Sequence, residues 1–295
     1  MTAAGIYEAN RTKRHRATKA EVKQRRSDIY QIVAAMKPMT VRQVFYQASV
    51  CELVEKSEAG YAKVQTDLVH MRRSGELPYH WLTDNTRWQR KPDTFGSPLE
   101  ALNETVRVYR KAMWADADAY IELWLEKDAL AGVVYPVTSL YDVPLMVARG
   151  YASLSFLHSA AKYIGSLEVP SYIYHFGDFD PSGVDAGRKI DETLRELAPA
   201  ADITFERVAV TPEQIAAWNL PTRPTKTTDS RAKNFGNISV ELDAIEPNTL
   251  RGLVEEVIQR HLPPDRFAIL KAAGESERKL IAGLVGLIAE DGVRL

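Results

Sequence analysis

The chain has 295 residues, 45% hydrophobic and 26% charged, with a formal net charge of −1, which suits a folded protein of about two domains. No apolar run approaches the roughly 20 residues of a membrane span, and no apolar segment follows the basic N-terminus to make a secretory signal. The single cysteine, Cys51, excludes an internal disulfide and a thiolate-rich zinc site; it predicts a reducing, cytoplasmic setting without a membrane partner, and a small half-buried residue at position 51.

Residues 1–18 predict a basic arm. Arg11, Lys13, Arg14, Arg16, Lys19, Lys23, Arg25 and Arg26 either attract phosphates or form a solvated face, and both readings stay open. Residues 19–36 predict a helix with an apolar stripe of Ile29, Ile32, Val33 and Met36. After the break at Lys37-Pro38, Thr40 is placed to N-cap a second helix over 41–50. A third helix is expected over about 58–73. Gly75, Pro78 and residues 79–85 then predict a short hairpin or wing. Residues 19–115 therefore read as a winged variant of the helix-turn-helix, with a plain helical bundle as the alternative. Pro92, Gly96 and Pro98 mark a loop in the stretch 86–116, where the domain boundary is expected.

From residue 118 the pattern becomes α/β. Strands are expected at 120–125, 143–148, 171–176 and 203–210, with helices between them. That alternation predicts a parallel sheet covered on both faces. A short helix, a Pro/Thr/Lys loop at 221–237 and helices near 247–262 and 275–290 complete residues 116–295.

Three acids stand out. Asp178 and Asp180, in HFGDFDPSG (175–183), lie two apart at the end of a predicted strand, where residues i and i+2 point to one side. Glu126 ends another predicted strand. Such a set suits Mg²⁺, with Mn²⁺ as a substitute, at the carboxyl ends of parallel strands. Each acid also has a simpler reading: Asp180 before Pro181 as a helix N-cap, Asp178 as a turn residue, and Glu126 as a partner of Lys127.

LEKDAL (125–130) and GDFDPSG (177–183) resemble the Toprim signature. Gly150-Tyr151 lies between them, where the A subunits of type IIB topoisomerases (topoisomerase VI) and the related meiotic break-forming protein carry a Gly-Tyr-Pro motif; this chain has Ala152 in place of the proline. Val41-Arg42-Gln43-Val44-Phe45-Tyr46 resembles the active-tyrosine motif of the same family, with Gln43 where an acid is common. The chain is compact beside the long A subunits and resembles more the reduced, free-standing A-like proteins of bacteria and mobile elements.

The resemblance implies Mg²⁺ held by Glu126, Asp178 and Asp180, and Tyr46 as nucleophile with Arg42 and Glu126 in support. It further implies double-stranded DNA as substrate, a homodimer with tyrosine and metal from different protomers, and a separate ATPase subunit. No Walker A sequence is present. Independently, a helix wheel puts Val41, Val44, Phe45 and Ala48 on the core side and Tyr46 away from it, near Arg42; an interface tyrosine is the alternative. Arg72, Arg73, Arg87 and Lys127 are candidate DNA contacts, as is the loop 224–231, while Trp81, Trp88, Trp114 and Trp124 are expected in core or hinge positions. Two further readings stay open: a Toprim nuclease that uses water, and a winged-helix DNA-binding protein without catalysis.

Overall fold

The structure is a computed structural model that describes residues 17–83, 92–225 and 235–290. The expected arm before residue 17, Arg87 and Trp88, and most of the loop 224–231 lie outside these residues.

Three helices open the chain: α1 (Lys19–Met36), α2 (Val41–Val50) and α3 (Glu58–Arg73). Thr18 and Thr40 begin α1 and α2 with capping boxes, in which the threonine side chain accepts the N3 amide and the N3 side chain accepts the cap amide. Ile29 and Val33 of α1 are fully buried. Asp67 of α3 receives both Arg25 and Arg26, at 2.7 and 2.9 Å. The expected hairpin is not a hairpin where it can be seen. Tyr79–Trp81 forms a 3₁₀ turn, and Leu82 makes one parallel bridge with Met39. Pro78 starts that turn, and Met39 competes for the backbone groups a hairpin partner would need. Cys51 differs from expectation as well: it is exposed, because it caps the solvent end of α2.

Helix α4 (Pro98–Val108) precedes the sheet, which holds β1 (Tyr120–Leu125), β2 (Leu145–Val147), β3 (Ser171–Phe176) and β4 (Ile203–Ala209). All pairings are parallel and the order is β2-β1-β3-β4. Helices α5 (Ala131–Leu140), α6 (Leu154–Ile164) and α7 (Pro181–Leu197) connect the strands, as βαβ crossovers require. The sheet is covered on both faces. Leu123, Leu125, Tyr174 and Phe176 join one core with α2, α3 and α9 (Pro247–Gln259). Trp124 and Ile173 face the other, against Leu157 and Ala161 of α6 and Ile190 and Leu194 of α7. Trp124 is fully buried, as expected of a core aromatic. The first core runs without a break from Ile29 to Leu262, so the N-terminal helices and the sheet share apolar contacts. A short helix α8 (Pro212–Ala217), a two-residue ladder β5 (Arg223–Pro224) with β6 (Ile238–Ser239), and α10 (Pro264–Glu290) complete the fold. No helix among the described residues is long and apolar enough to cross a membrane.

The strand order fixes where a ligand belongs. From β1 the chain moves outward to β2, then returns across β1 to β3 and continues to β4. The reversal lies between β1 and β3, and the crevice beyond their carboxyl ends is the switch point of the sheet.

Candidate functional site

Glu126 follows β1 and Asp178 and Asp180 follow β3, so all three expected acids stand at the switch point. Glu126 Oε2 accepts the backbone N–H of Asp178 at 2.8 Å. Asp180 is the N-cap of α7, with Oδ1 accepting the Gly183 amide at 2.8 Å, so the helix-cap reading of Asp180 is met alongside the clustering. Close approach demands glycine at two points. A Cβ on Gly177 would stand 2.6 Å from Glu126 Oε2, and one on Gly183 would stand 2.5 Å from the Asp178 carbonyl oxygen and 2.9 Å from Glu126 Oε2. A Gly183→Ala chain is expected to lose about 1–3 kcal/mol of stability through this overlap and to shift the Asp178–Gly183 turn. Thermal melts and the divalent-ion affinity check it; an unchanged melt and unchanged affinity would contradict the packing described.

The segment that follows β6 supplies more of the site. Phe179 and Val240 exchange both backbone hydrogen bonds, at 2.8 and 2.9 Å. The Leu242 amide donates to Asp178 Oδ1 at 2.8 Å. This stitching delivers Glu241 and Asp243 to the cleft, and neither is among the residues expected from sequence. Lys127 Nζ lies 3.0 Å from Asp178, 2.8 Å from Asp243 and 3.4 Å from Glu241. It is therefore committed inside the protein rather than free for a phosphate, and the simple Glu126–Lys127 pair is not formed. Arg223 bridges Asp180 (3.2 Å) and Glu241 (2.7 Å). Arg42 donates to both oxygens of Glu241, at 3.1 and 2.8 Å. Arg207, on β4, binds the carbonyls of Gly177 (2.9 Å), Asp178 and Gly183 (3.2 Å), which pins the acidic turn from behind.

The energetics follow from burial. Burial, with the Asp178 carboxylate beside it, pushes the Glu126 carboxyl up to about 7. Burial also raises Asp178, although Lys127 partly offsets it. For Glu241 burial is overcome by Lys127, Arg42 and Arg223, which together hold it below the usual carboxylate range. The three carboxylates around Lys127 raise its ammonium above its ordinary value despite burial. His175, on β3 and 1% exposed, is lowered to about 3 by burial and by Arg207, so it is neutral near pH 7.

Tyr46 departs from the helix-wheel expectation. Its side leads away from Val44 and Ala48, but that side is covered too: Tyr46 is 5% exposed. The 3₁₀ turn Leu242–Ala244 packs on α2, with Thr40 Oγ1 and Asp243 Oδ1 3.1 Å apart. Tyr46 therefore belongs to the core cluster. Burial and the nearby Glu241 charge push its phenol up to about 12, while Arg42 and Lys127 pull the other way. The Tyr46 hydroxyl has no hydrogen bond among the described residues.

An open cleft of about 860 Å³ lies between α2, α3 and the ends of the strands, lined among others by Arg42, Arg72, Glu126, Lys127, Arg149 and Glu241. Arg72 stacks on the Tyr79 ring at 4.5 Å, and Arg73 is exposed in the last turn of α3. Arg149 pairs with Asp128 at 3.0 Å.

Among the described residues no three acid, imidazole or thiol side chains surround one point as metal ligands would. The chemistry of the donor set nonetheless fits a hard divalent ion. The donors are all oxygen, and the buried Asp178 and half-buried Glu126 carboxyls are both held above their ordinary range. Seating such an ion requires Lys127 and Arg223 to yield their places beside Asp178 and Asp180. Neither a protein-family model nor a curated protein matches this chain.

Proposed function

We propose that this protein cleaves and rejoins DNA, in the manner of a type IIB topoisomerase A subunit. The observation that carries the reading is that Glu126, Asp178 and Asp180 all follow the adjacent strands β1 and β3 at the switch point of a parallel sheet, with α2, the helix of Tyr46, along the same cleft. In this reading residues 19–115 are a winged-helix-like DNA-binding unit and 116–295 a Toprim unit with C-terminal helices, working in the cytoplasm on double-stranded DNA. A separate ATPase subunit would drive strand passage.

Glu126, Asp178 and Asp180 would hold Mg²⁺ or Mn²⁺. When bound, such an ion supplies positive charge to the scissile phosphate and the leaving oxygen. Tyr46 Oη attacks phosphorus, a phosphotyrosyl ester forms, and the bond to the sugar oxygen breaks. The phenol proton passes to solvent or a nearby carboxylate, and the sugar oxygen leaves as a hydroxyl after taking up a proton. Glu126 would hold the ion as its carboxylate, the raised value of about 7 belonging to the ion-free site. Arg42 and Lys127 offset the phenolate charge. Arg72, Arg73 and, outside the described residues, Arg87 would meet DNA phosphates.

One observation favours a second reading. A buried phenol held at about 12 is a reluctant nucleophile, and a Toprim nuclease that uses water would not need it. Incubation of supercoiled plasmid with the protein and Mg²⁺ separates the two. The first reading expects linear DNA that enters a gel only after protease digestion. The second expects linear or nicked DNA with free ends, whether or not protease is added. Intact plasmid under both Mg²⁺ and Mn²⁺ would contradict both.

A further inference from the structure

His175 takes no part in the chemistry above, yet it is a polar side chain in the fully buried part of β3. Its ring stacks on Phe205 of β4, with centroids 5.8 Å apart. One edge of the ring is accounted for. His175 and Arg207 are register partners on β3 and β4, and Arg207 Nη1 lies 3.5 Å from Nδ1. A guanidinium only donates, so Nδ1 is the acceptor. The single proton of the neutral ring therefore sits on Nε2. Nε2 is buried and has no hydrogen-bond partner among the described residues. A donor sealed from water without an acceptor is costly, so such a group asks for an acceptor close by.

The glycines around the ring show which acceptor it meets. A Cβ on Gly177 would stand 2.7 Å from His175 Cε1 and 3.4 Å from Nε2, and 2.6 Å from Glu126 Oε2. The Nε2 edge of the imidazole and Oε2 of the acid thus press on the same side of Gly177. Gly187 admits the ring from α7, where a Cβ would stand 3.1 Å from Cε1 and 3.2 Å from Nδ1. Glu126 Oε2 already accepts the Asp178 amide, and a carboxylate oxygen has room for a second donor. Glu126 Oε1 makes no hydrogen bond among the described residues, and Glu126 lines the cleft. One oxygen of Glu126 is therefore tied toward the protein and the other is left for the cleft.

We infer that His175 is a positioning residue for Glu126: its Nε2–H donates to Oε2 of the ionised carboxylate and so holds Oε1 toward the divalent ion. The inference rests on the reading of Glu126 as an ion ligand. Donors behind a ligating carboxylate fix its orientation, and losing one costs about 10–100-fold in metal affinity. Arg207 supports the same arrangement from the far edge of the ring, because its contact with Nδ1 selects the tautomer that can donate.

Two measurements on the full chain test it. The first is Mn²⁺ affinity. His175→Phe keeps an aromatic ring against Phe205 but has no donor, and is expected to bind Mn²⁺ about 10–100-fold more weakly. His175→Gln carries an amide N–H that reaches about as far as Nε2, and is expected to recover most of that loss. Equal affinity in all three chains, with only their melting temperatures lowered, would make His175 a packing residue and overturn the inference. The second measurement needs neither a metal nor a His175 variant. Nitrogen-15 NMR of the imidazole is expected to show the proton on Nε2, with an Nε2 resonance that moves in Glu126→Gln. A proton on Nδ1, or an Nε2 resonance indifferent to Glu126→Gln, would overturn the inference. Absence of Mn²⁺ binding by the unmodified chain would sink the metal reading itself, and the imidazole spectra would still decide whether His175 holds Glu126.

Discussion

A Tyr46→Phe chain is expected to fold and bind DNA normally while losing at least about 1000-fold in protein-linked DNA ends, because the atom that forms the ester is gone. The substitution removes only a hydroxyl that has no hydrogen bond among the described residues, so stability should change by no more than ~1 kcal/mol. The pH profile of the unmodified chain carries the same information. With the phenol held at about 12, only about one tyrosine in 100,000 is ionised at pH 7. Adduct formation in single-turnover assays should therefore rise close to tenfold per pH unit between roughly pH 7 and 9. Undiminished cutting by Tyr46→Phe, with free ends and a flat profile, would instead make water the nucleophile and Tyr46 a packing residue.

Lys127→Met is expected to be the most destabilising single change in the cleft. Lys127 is 24% exposed, and it balances Asp178, Glu241 and Asp243 together. Arg42 and Arg223 still neutralise Glu241 in its absence, but the lysine's ion pairs with Asp178 and Asp243 are lost. Removing one partner of a buried pair costs about 3–5 kcal/mol, and partial access to water places this case near the lower end. The sign with pH follows from the carboxyls left behind. Burial already raises the Asp178 carboxyl, and without the lysine that offsets this it holds its proton more tightly still in the fold than in the unfolded chain. The loss should thus be largest at pH 8 and shrink toward pH 5 as Asp178 takes up its proton. Thermal melts of Lys127→Met and Lys127→Arg across that range check it. Millimolar Mg²⁺ is expected to return part of the lost stability by taking the lysine's place. A melt within about 2 °C of the unmodified chain at pH 8 would refute the charge balance described.

The helices and strands that carry their own local signals were readable in the sequence. Helices α1, α2 and α3 and strands β1 and β3 have the expected bounds, because capping threonines and apolar periodicity act within a few residues. Glu126 and the Asp178/Asp180 pair were legible for the same reason: each ends a strand, and the strand order brings the ends together. What escaped depends on contacts far along the chain. The wheel for α2 sets Tyr46 apart from the core side, and nothing local reveals that residues 240–244, some 200 positions later, pack on this helix and leave Tyr46 buried. Glu241 and Asp243 had a visible signal, an acid pair two apart set among Val240, Leu242 and Ala244, all buried. It lacks a strand of its own and enters the site through the Phe179–Val240 bridge. Helix α10 starts at Pro264, well before the expected 275. Its proline is favourable in a first helical turn, while its first turns lack the leucine repeat that marks its end.

The central claim is that Glu126, Asp178 and Asp180 share one hard divalent ion. Titration of the metal-free protein with Mn²⁺, followed by the electron paramagnetic resonance signal of the free ion, tests it most directly. The account predicts a saturable site that Mg²⁺ displaces and that is lost in Asp178→Asn and Glu126→Gln, with binding weakening as pH falls below about 7 and Glu126 takes up its proton. A signal that tracks added Mn²⁺ without saturation, or a site indifferent to both substitutions, would contradict it.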